Sequence, residues 1–92
     1  MSEDNIRRRV VAHGEVQGVF FRDTVSSEAE RRGVAGWVRN RDDGTVEAVF
    51  EGSPDDVNAM VDLCGSGPEQ ADVEKVDAGE EVPEGLSGFE VR

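Results

Sequence analysis

Asp42-Asp43-Gly44 lies between two runs with strand character, and this junction constrains the fold more than any other stretch of the chain. Trp37 and Val38 open the strand before it. After it, Val46, Ala48 and Phe50 alternate with Glu47, Val49 and Glu51. An Asp-Gly turn between two such runs signals a β-hairpin. A period of two predicts a strand with one buried face.

Each flank of this hairpin carries a helical pattern. Upstream, Phe21, Val25 and Ala29 recur every four residues. Glu28 precedes Arg31 and Arg32 in the favourable order for helical ion pairs. Gly33 is placed to end that helix in the left-handed conformation. Downstream, Ser53 suits a cap, Pro54 the first helical position, and Asp55 and Asp56 the positive end of the dipole. Val57, Met60, Val61 and Cys64 then form one apolar face, and Gly65 is expected to close the helix.

Strands complete the pattern. Arg7 to Ala12 reads as the first, Val73 and Val76 suggest another, and Phe89 and Val91 a short last one. The order is β-α-β-β-α-β, with a possible short fifth strand. Right-handed crossovers place both helices on one face. The expected fold is therefore α+β: a ferredoxin-like βαββαβ sandwich, with an antiparallel sheet and two helices on one side. The 92 residues are expected to form one domain, 1–92, with 1–6 as a flexible tail.

Charge narrows the functional classes. The chain holds 21 acidic and 10 basic residues, for a formal net charge of −11. Such a surface repels phosphate at long range, which argues against nucleic acid and anionic membranes. No apolar run approaches the ~20 residues of a spanning helix. Cys64 is the one cysteine, so neither an internal disulfide nor a thiolate zinc site is expected. A soluble cytoplasmic protein, by default a monomer, is the expectation. With 34% charged and 5% aromatic residues, a disordered chain is a competing reading. The periodicities above decide against it.

The catalytic inventory is sparse. His13 has no obvious Ser or Cys partner, and Cys64 reads as a small buried hydrophobe. One stretch stands out, Gly14 to Arg22, which links a strand directly to a helix. Helix N-termini bind anions, and Gly14 and Gly18 would let successive amides turn inward. Arg22 at a helix start opposes the dipole unless an anion sits there, and its planar fork suits a phosphoryl group. A plain glycine turn beside a surface Arg is level with this reading on spacing alone. Asn40, just before the hairpin turn, is the second candidate. It is either a turn residue or a group facing the anion loop.

Together the two stretches resemble the acylphosphatase family. The first reads Gly14-Glu15-Val16-Gln17-Gly18-Val19-Phe20-Phe21-Arg22, and the second Gly36-Trp37-Val38-Arg39-Asn40-Arg41-Asp42-Asp43-Gly44-Thr45-Val46. The resemblance covers nearly the whole chain. It implies hydrolysis of the carboxyl-phosphate bond of acyl phosphates to carboxylate and inorganic phosphate. It also implies that Arg22 binds the phosphoryl group with main-chain N–H groups of Glu15, Val16, Gln17, Gly18, Val19, Phe20 and Phe21. Asn40 would hold the attacking water. No metal or cofactor is implied.

Two other classes compete. A regulatory anion-binding module would keep Arg22 without needing Asn40. An acylphosphatase-like domain of a larger carbamoyl-transfer protein from hydrogenase maturation is the third. Nothing in the sequence reads the acyl group. Arg22, Arg39 and Arg41 are expected to cluster at the site, with Arg7, Arg8 and Arg9 beside them, leaving it locally positive. The near absence of Lys among so many acids resembles proteins of extreme halophiles and predicts stability and activity that rise with salt.

Overall fold

The computed structural model describes residues 4–18, 20–67 and 71–92. The elements follow as β1 (Ile6–Glu15), α1 (Phe21–Arg32), β2 (Ala35–Asn40), β3 (Val46–Gly52), α2 (Pro54–Ser66), β4 (Asp72–Glu81) and β5 (Phe89–Val91). β1 takes in Ile6, which the sequence leaves in the tail, and runs past Ala12 to Glu15. This is the expected ferredoxin-like order with the fifth strand present.

The sheet order is β4-β1-β3-β2-β5. The first four strands are antiparallel to their neighbours. β5 departs from the wholly antiparallel expectation, pairing parallel to β2 with Phe89 opposite Gly36. The cause is where the chain crosses. β4 ends with Glu81 opposite Arg7, at the sheet end where β2 begins. A segment that crosses at that end and enters β5 there must run alongside β2. Glu51 holds the crossing: its carboxylate accepts the backbone N–H of Glu84 at 3.1 Å, Gly85 at 2.6 Å and Leu86 at 3.1 Å.

α1 buries Phe21, Val25 and Ala29, the residues its spacing selects. It stops at Gly33, whose φ of 70° lets its N–H reach the carbonyls of Ala29 and Glu30. α2 buries Val57, Met60 and Cys64. Its ends differ from expectation. Ser53 makes no side-chain cap and instead donates its hydroxyl to Asp56 Oδ2 at 3.0 Å. The helix also passes Gly65 and ends at Ser66, because the Gly67 N–H closes onto the Leu63 carbonyl at 2.7 Å.

β3 corrects the simplest reading of its alternation. Val46, Ala48 and Phe50 pack under the helices, yet Glu47, Val49 and Glu51 are also only 4%, 1% and 3% exposed. Period two on a central strand therefore marks two different buried faces. The second is covered by paired arginines, not by a helix: Glu47 accepts from Arg9 and Arg39, and Glu51 from Arg7. On the helix side, Phe50 stacks on Phe89 with centroids 5.9 Å apart, anchoring β5 to the core. Truncating a buried ring of this kind costs about 3–5 kcal/mol.

Candidate active site

The junction between β1 and α1 is tighter than the expected 15–21 loop. Glu15 still pairs with Asp72 in the sheet, and Phe21 already opens α1. Gly14 is not a loop residue. It lies beside a register break in β1, and a Cβ at its φ of +125° would meet the Asp72 carbonyl oxygen at 2.2 Å. Close approach of β4 requires that glycine. Gly18 does lie in the turn, at φ +77°. Val19 lies outside the described residues.

Phe20 caps α1 at φ 61°, a left-handed conformation that costs a side chain of this kind ~1–2 kcal/mol. No side chain caps the helix start. The first N–H groups of a helix have no partner within it, and the dipole there favours an anion.

A cavity of about 240 Å³ opens at this point, lined by Val16, Gly18, Phe20, Phe21, Arg22, Asp23 and Asn40. It thus joins the glycine turn and Arg22 to Asn40, which arrives from β2. Glu15 and Gln17 are not among its walls. Asn40 reaches the cavity because it shares a strand face with Val38, which is buried under the helices. Its Oδ1 is buried with no hydrogen-bond partner among the described residues. Arg22 is held loosely: Nη1 donates to the Arg92 carbonyl at 3.5 Å. Four of the five guanidinium donors remain for a ligand. Asp23 is a wall residue the sequence did not single out. Its signal was its place one residue after Arg22, which reads equally as an acid in the first helical turn.

The turn after Asn40 is closed by its own hydrogen bonds. The Arg41 N–H bonds the Thr45 carbonyl at 2.8 Å, and the Gly44 N–H bonds the Arg41 carbonyl at 3.2 Å. Asp43 Oδ1 accepts the Thr45 hydroxyl at 2.6 Å and its N–H at 3.0 Å, which together hold the Asp43 carboxyl below its ordinary value. Gln17 reaches into the same turn. Its Nε2 donates to the Arg41 carbonyl at 2.7 Å and to the Thr45 carbonyl at 2.9 Å.

The expected cluster of arginines does not form. Arg39 sits on the far face of the sheet, 2.7 Å from Glu47, which Arg9 also pairs. Arg7 binds Glu51 and Glu81, Arg8 donates to Asn58, and Arg41 lies 4.0 Å from Asp43. Alternating side-chain direction along β2 separates Arg39 from Asn40. Among the described residues Arg22 alone brings a positive side chain to the cavity wall.

His13 pairs with Asp77 at 3.0 Å and takes no part in the cavity. Burial pushes the Cys64 thiol up to about 12, so it behaves as the inert hydrophobe its spacing suggests. Among the described residues no three His, Cys, Asp or Glu side chains group to hold a metal ion. Among the described residues no helix is long and apolar enough to cross a membrane.

Fold and cavity define a ferredoxin-like α+β domain with a pocket at a helix start. Known proteins sharpen this. The acylphosphatase family model matches residues 8–91. The acylphosphatase of Haloarcula marismortui is 55% identical over 86 residues, covering 94% of each chain. That of Natronomonas pharaonis is 51% identical over 89 residues, covering 97% of each. The solved acylphosphatase from Coxiella burnetii superposes with a TM-score of 0.91 at 39% identity, covering 97% of this chain and 94% of that one. The chain belongs to the acylphosphatase family.

Proposed function

We propose that the chain hydrolyses the carboxyl-phosphate bond of acyl phosphates, with the phosphoryl group bound by Arg22 and main-chain N–H groups of the turn, and the water held by Asn40. The observation that carries this reading is the orphaned Asn40 Oδ1. A buried acceptor without a partner is costly, and a water donating to it relieves that cost. Asn40 lines the same cavity as Arg22.

The chemistry fits the inventory. A carboxylate is a good leaving group, so phosphoryl transfer from a mixed anhydride chiefly needs positioning and charge stabilisation. Arg22 and preorganised amides stabilise the phosphoryl oxygens. Asn40 orients the water. As water oxygen bonds to phosphorus, the bond from phosphorus to the acyl oxygen breaks, and its electron pair leaves with the carboxylate. The water's proton passes to a phosphoryl oxygen, so no side-chain base is needed. The products are carboxylate and inorganic phosphate.

Of the amides in the expected 15–21 span, those of Val16, Gly18, Phe20 and Phe21 belong to residues of the cavity wall and best fit the phosphoryl role. The proposed setting is the cytoplasm, as a monomer. The acidic composition is read as adaptation to a salt-rich solvent, supported by relatives from Haloarcula marismortui and Natronomonas pharaonis. Turnover of benzoyl phosphate by the purified chain tests the function: release of benzoate and phosphate supports it. Phosphate binding without turnover would favour an anion-sensing module.

A further inference from the structure

We propose that Gln17 is a positioning residue, which fixes the phosphate turn against the β2–β3 turn and so sets where Asn40 stands relative to the bound phosphoryl group. This inference rests on the acyl phosphate reading of the cavity.

Gln17 lies in the turn between β1 and α1, but its side chain leaves that turn. It crosses to the hairpin that begins at Arg41, the residue next to Asn40. There one nitrogen, Nε2, donates to two carbonyls, Arg41 at 2.7 Å and Thr45 at 2.9 Å. A primary amide nitrogen carries two hydrogens, and both are used. Two facing carbonyl oxygens also fix the orientation of the amide, since its own oxygen would be repelled there.

The receiving turn is already closed on itself. The Arg41 and Thr45 carbonyls each accept a backbone N–H from within the turn, and Asp43 ties down Thr45. Gln17 occupies the second acceptor site of each carbonyl. The clamp therefore ties the β1–α1 turn to a turn that its own hydrogen bonds already close. On one side stand Gly18, Phe20 and Arg22, in the cavity wall; on the other stands Asn40, one residue before the clamped turn. Among the described contacts no direct bond joins Arg22 to Asn40, so the distance between phosphate and water rests on what joins their elements. A shift of about 1 Å at such a site costs roughly 10²-fold in rate.

The clamp needs donors. A glutamate at 17 is acceptor-only when ionised and faces two carbonyls, whereas a protonated glutamate offers one O–H. Gln17→Glu is therefore expected to be weak at neutral pH and to regain activity relative to the parent as pH falls below about 5, where a carboxyl of ordinary value near 4.3 begins to take up its proton. Gln17→Leu lacks that recovery.

The experiment measures kcat and KM for benzoyl phosphate, and competitive inhibition by inorganic phosphate, in the parent, Gln17→Leu, Gln17→Glu, Asn40→Ala and Asn40→Ala/Gln17→Leu. Expected are a kcat loss of roughly 30- to 100-fold for Gln17→Leu, phosphate inhibition within about 3-fold of the parent, and a further loss below about 3-fold when Gln17→Leu is added to Asn40→Ala. Losses that multiply in the double variant would overturn the proposal, as would a Gln17→Glu profile parallel to that of Gln17→Leu. A lowered melting temperature with kcat intact would also overturn it. An inactive parent would instead refute the acyl phosphate reading itself.

Discussion

Arg39 and Asn40 are adjacent in the chain and lie on opposite faces of the sheet. The guanidinium of Arg39 is 2.7 Å from Glu47 on the far side, whereas Asn40 joins the cavity wall with Arg22. The site therefore draws its positive charge from one side chain and from backbone N–H groups. That separation makes the roles of individual residues testable.

Arg22→Ala is expected to lower kcat/KM by roughly 10²- to 10³-fold, since an anion-stabilising donor is worth about 3–4 kcal/mol. Inhibition by inorganic phosphate should vanish with it. The guanidinium contributes one 3.5 Å bond to the fold, so the thermal midpoint should hardly move. Arg39→Ala, remote from the cavity, should leave phosphate inhibition intact. Equal losses from the two variants would show that bulk positive charge, not Arg22, binds phosphate.

Asn40→Ala should reduce kcat by about 10²-fold while phosphate inhibition stays near that of the parent. Removing an acceptor with no partner among the described residues leaves none of their groups stranded, so the fold should persist. Weakened phosphate inhibition with kcat preserved would overturn the water-holding role.

Among the described residues Asp23 is the one carboxylate in the cavity wall. If a phosphoryl oxygen takes the water's proton, Asp23→Asn changes kcat by less than about 3-fold, because general base catalysis contributes 10²–10⁴-fold where it operates. The acidic limb of the pH–rate profile should be unchanged. Loss of that limb, together with a kcat fall above 10²-fold, would make Asp23 the base.

Stability should fall in acid through Glu47 and Glu51. Burial alone would raise the Glu47 carboxyl, but its bonds to Arg9 and Arg39 prevail and hold it below the ordinary value. Burial likewise opposes ionisation of Glu51, and three backbone N–H groups with Arg7 outweigh it. Values lowered on folding stabilise the native state fully above the unfolded value near 4.3, and that contribution is lost as pH falls through the folded values. Glu51→Gln should flatten this acid slope in denaturant titrations. It should also release the crossing into β5, seen as faster amide exchange at Glu84, Gly85 and Leu86. An unchanged slope would exclude Glu51 as a source.

Molar KCl should raise both stability and kcat/KM. A formal net charge of −11 on 92 residues repels itself in dilute buffer, and 1 M salt cuts the Debye length to about 3 Å. The arginines on the far sheet face already have acidic partners, so the unbalanced charge is the acid excess elsewhere. Full stability and activity in dilute buffer would refute the salt-adapted reading.

Local pattern by itself determined the element order, the residues that helices bury and the two stretches that meet at the cavity. Phe21, Val25 and Ala29 had to face one way because four-residue spacing is helical; Asp42-Asp43-Gly44 had to reverse the chain. Other features required the folded sheet. The burial of Glu47 and Glu51 follows from β3 lying between β1 and β2, a matter of neighbours and not of period. Gly14 is glycine because β4 passes over it, a contact made across most of the chain. β5 runs parallel to β2 because Glu51 gathers a crossing at one end of the sheet. The tertiary structure also parted Arg39 from Asn40 and brought the Gln17 amide to the Arg41 and Thr45 carbonyls. Periodicity fixes which way a side chain points from its own element; what it meets there is decided by elements packed from elsewhere in the chain.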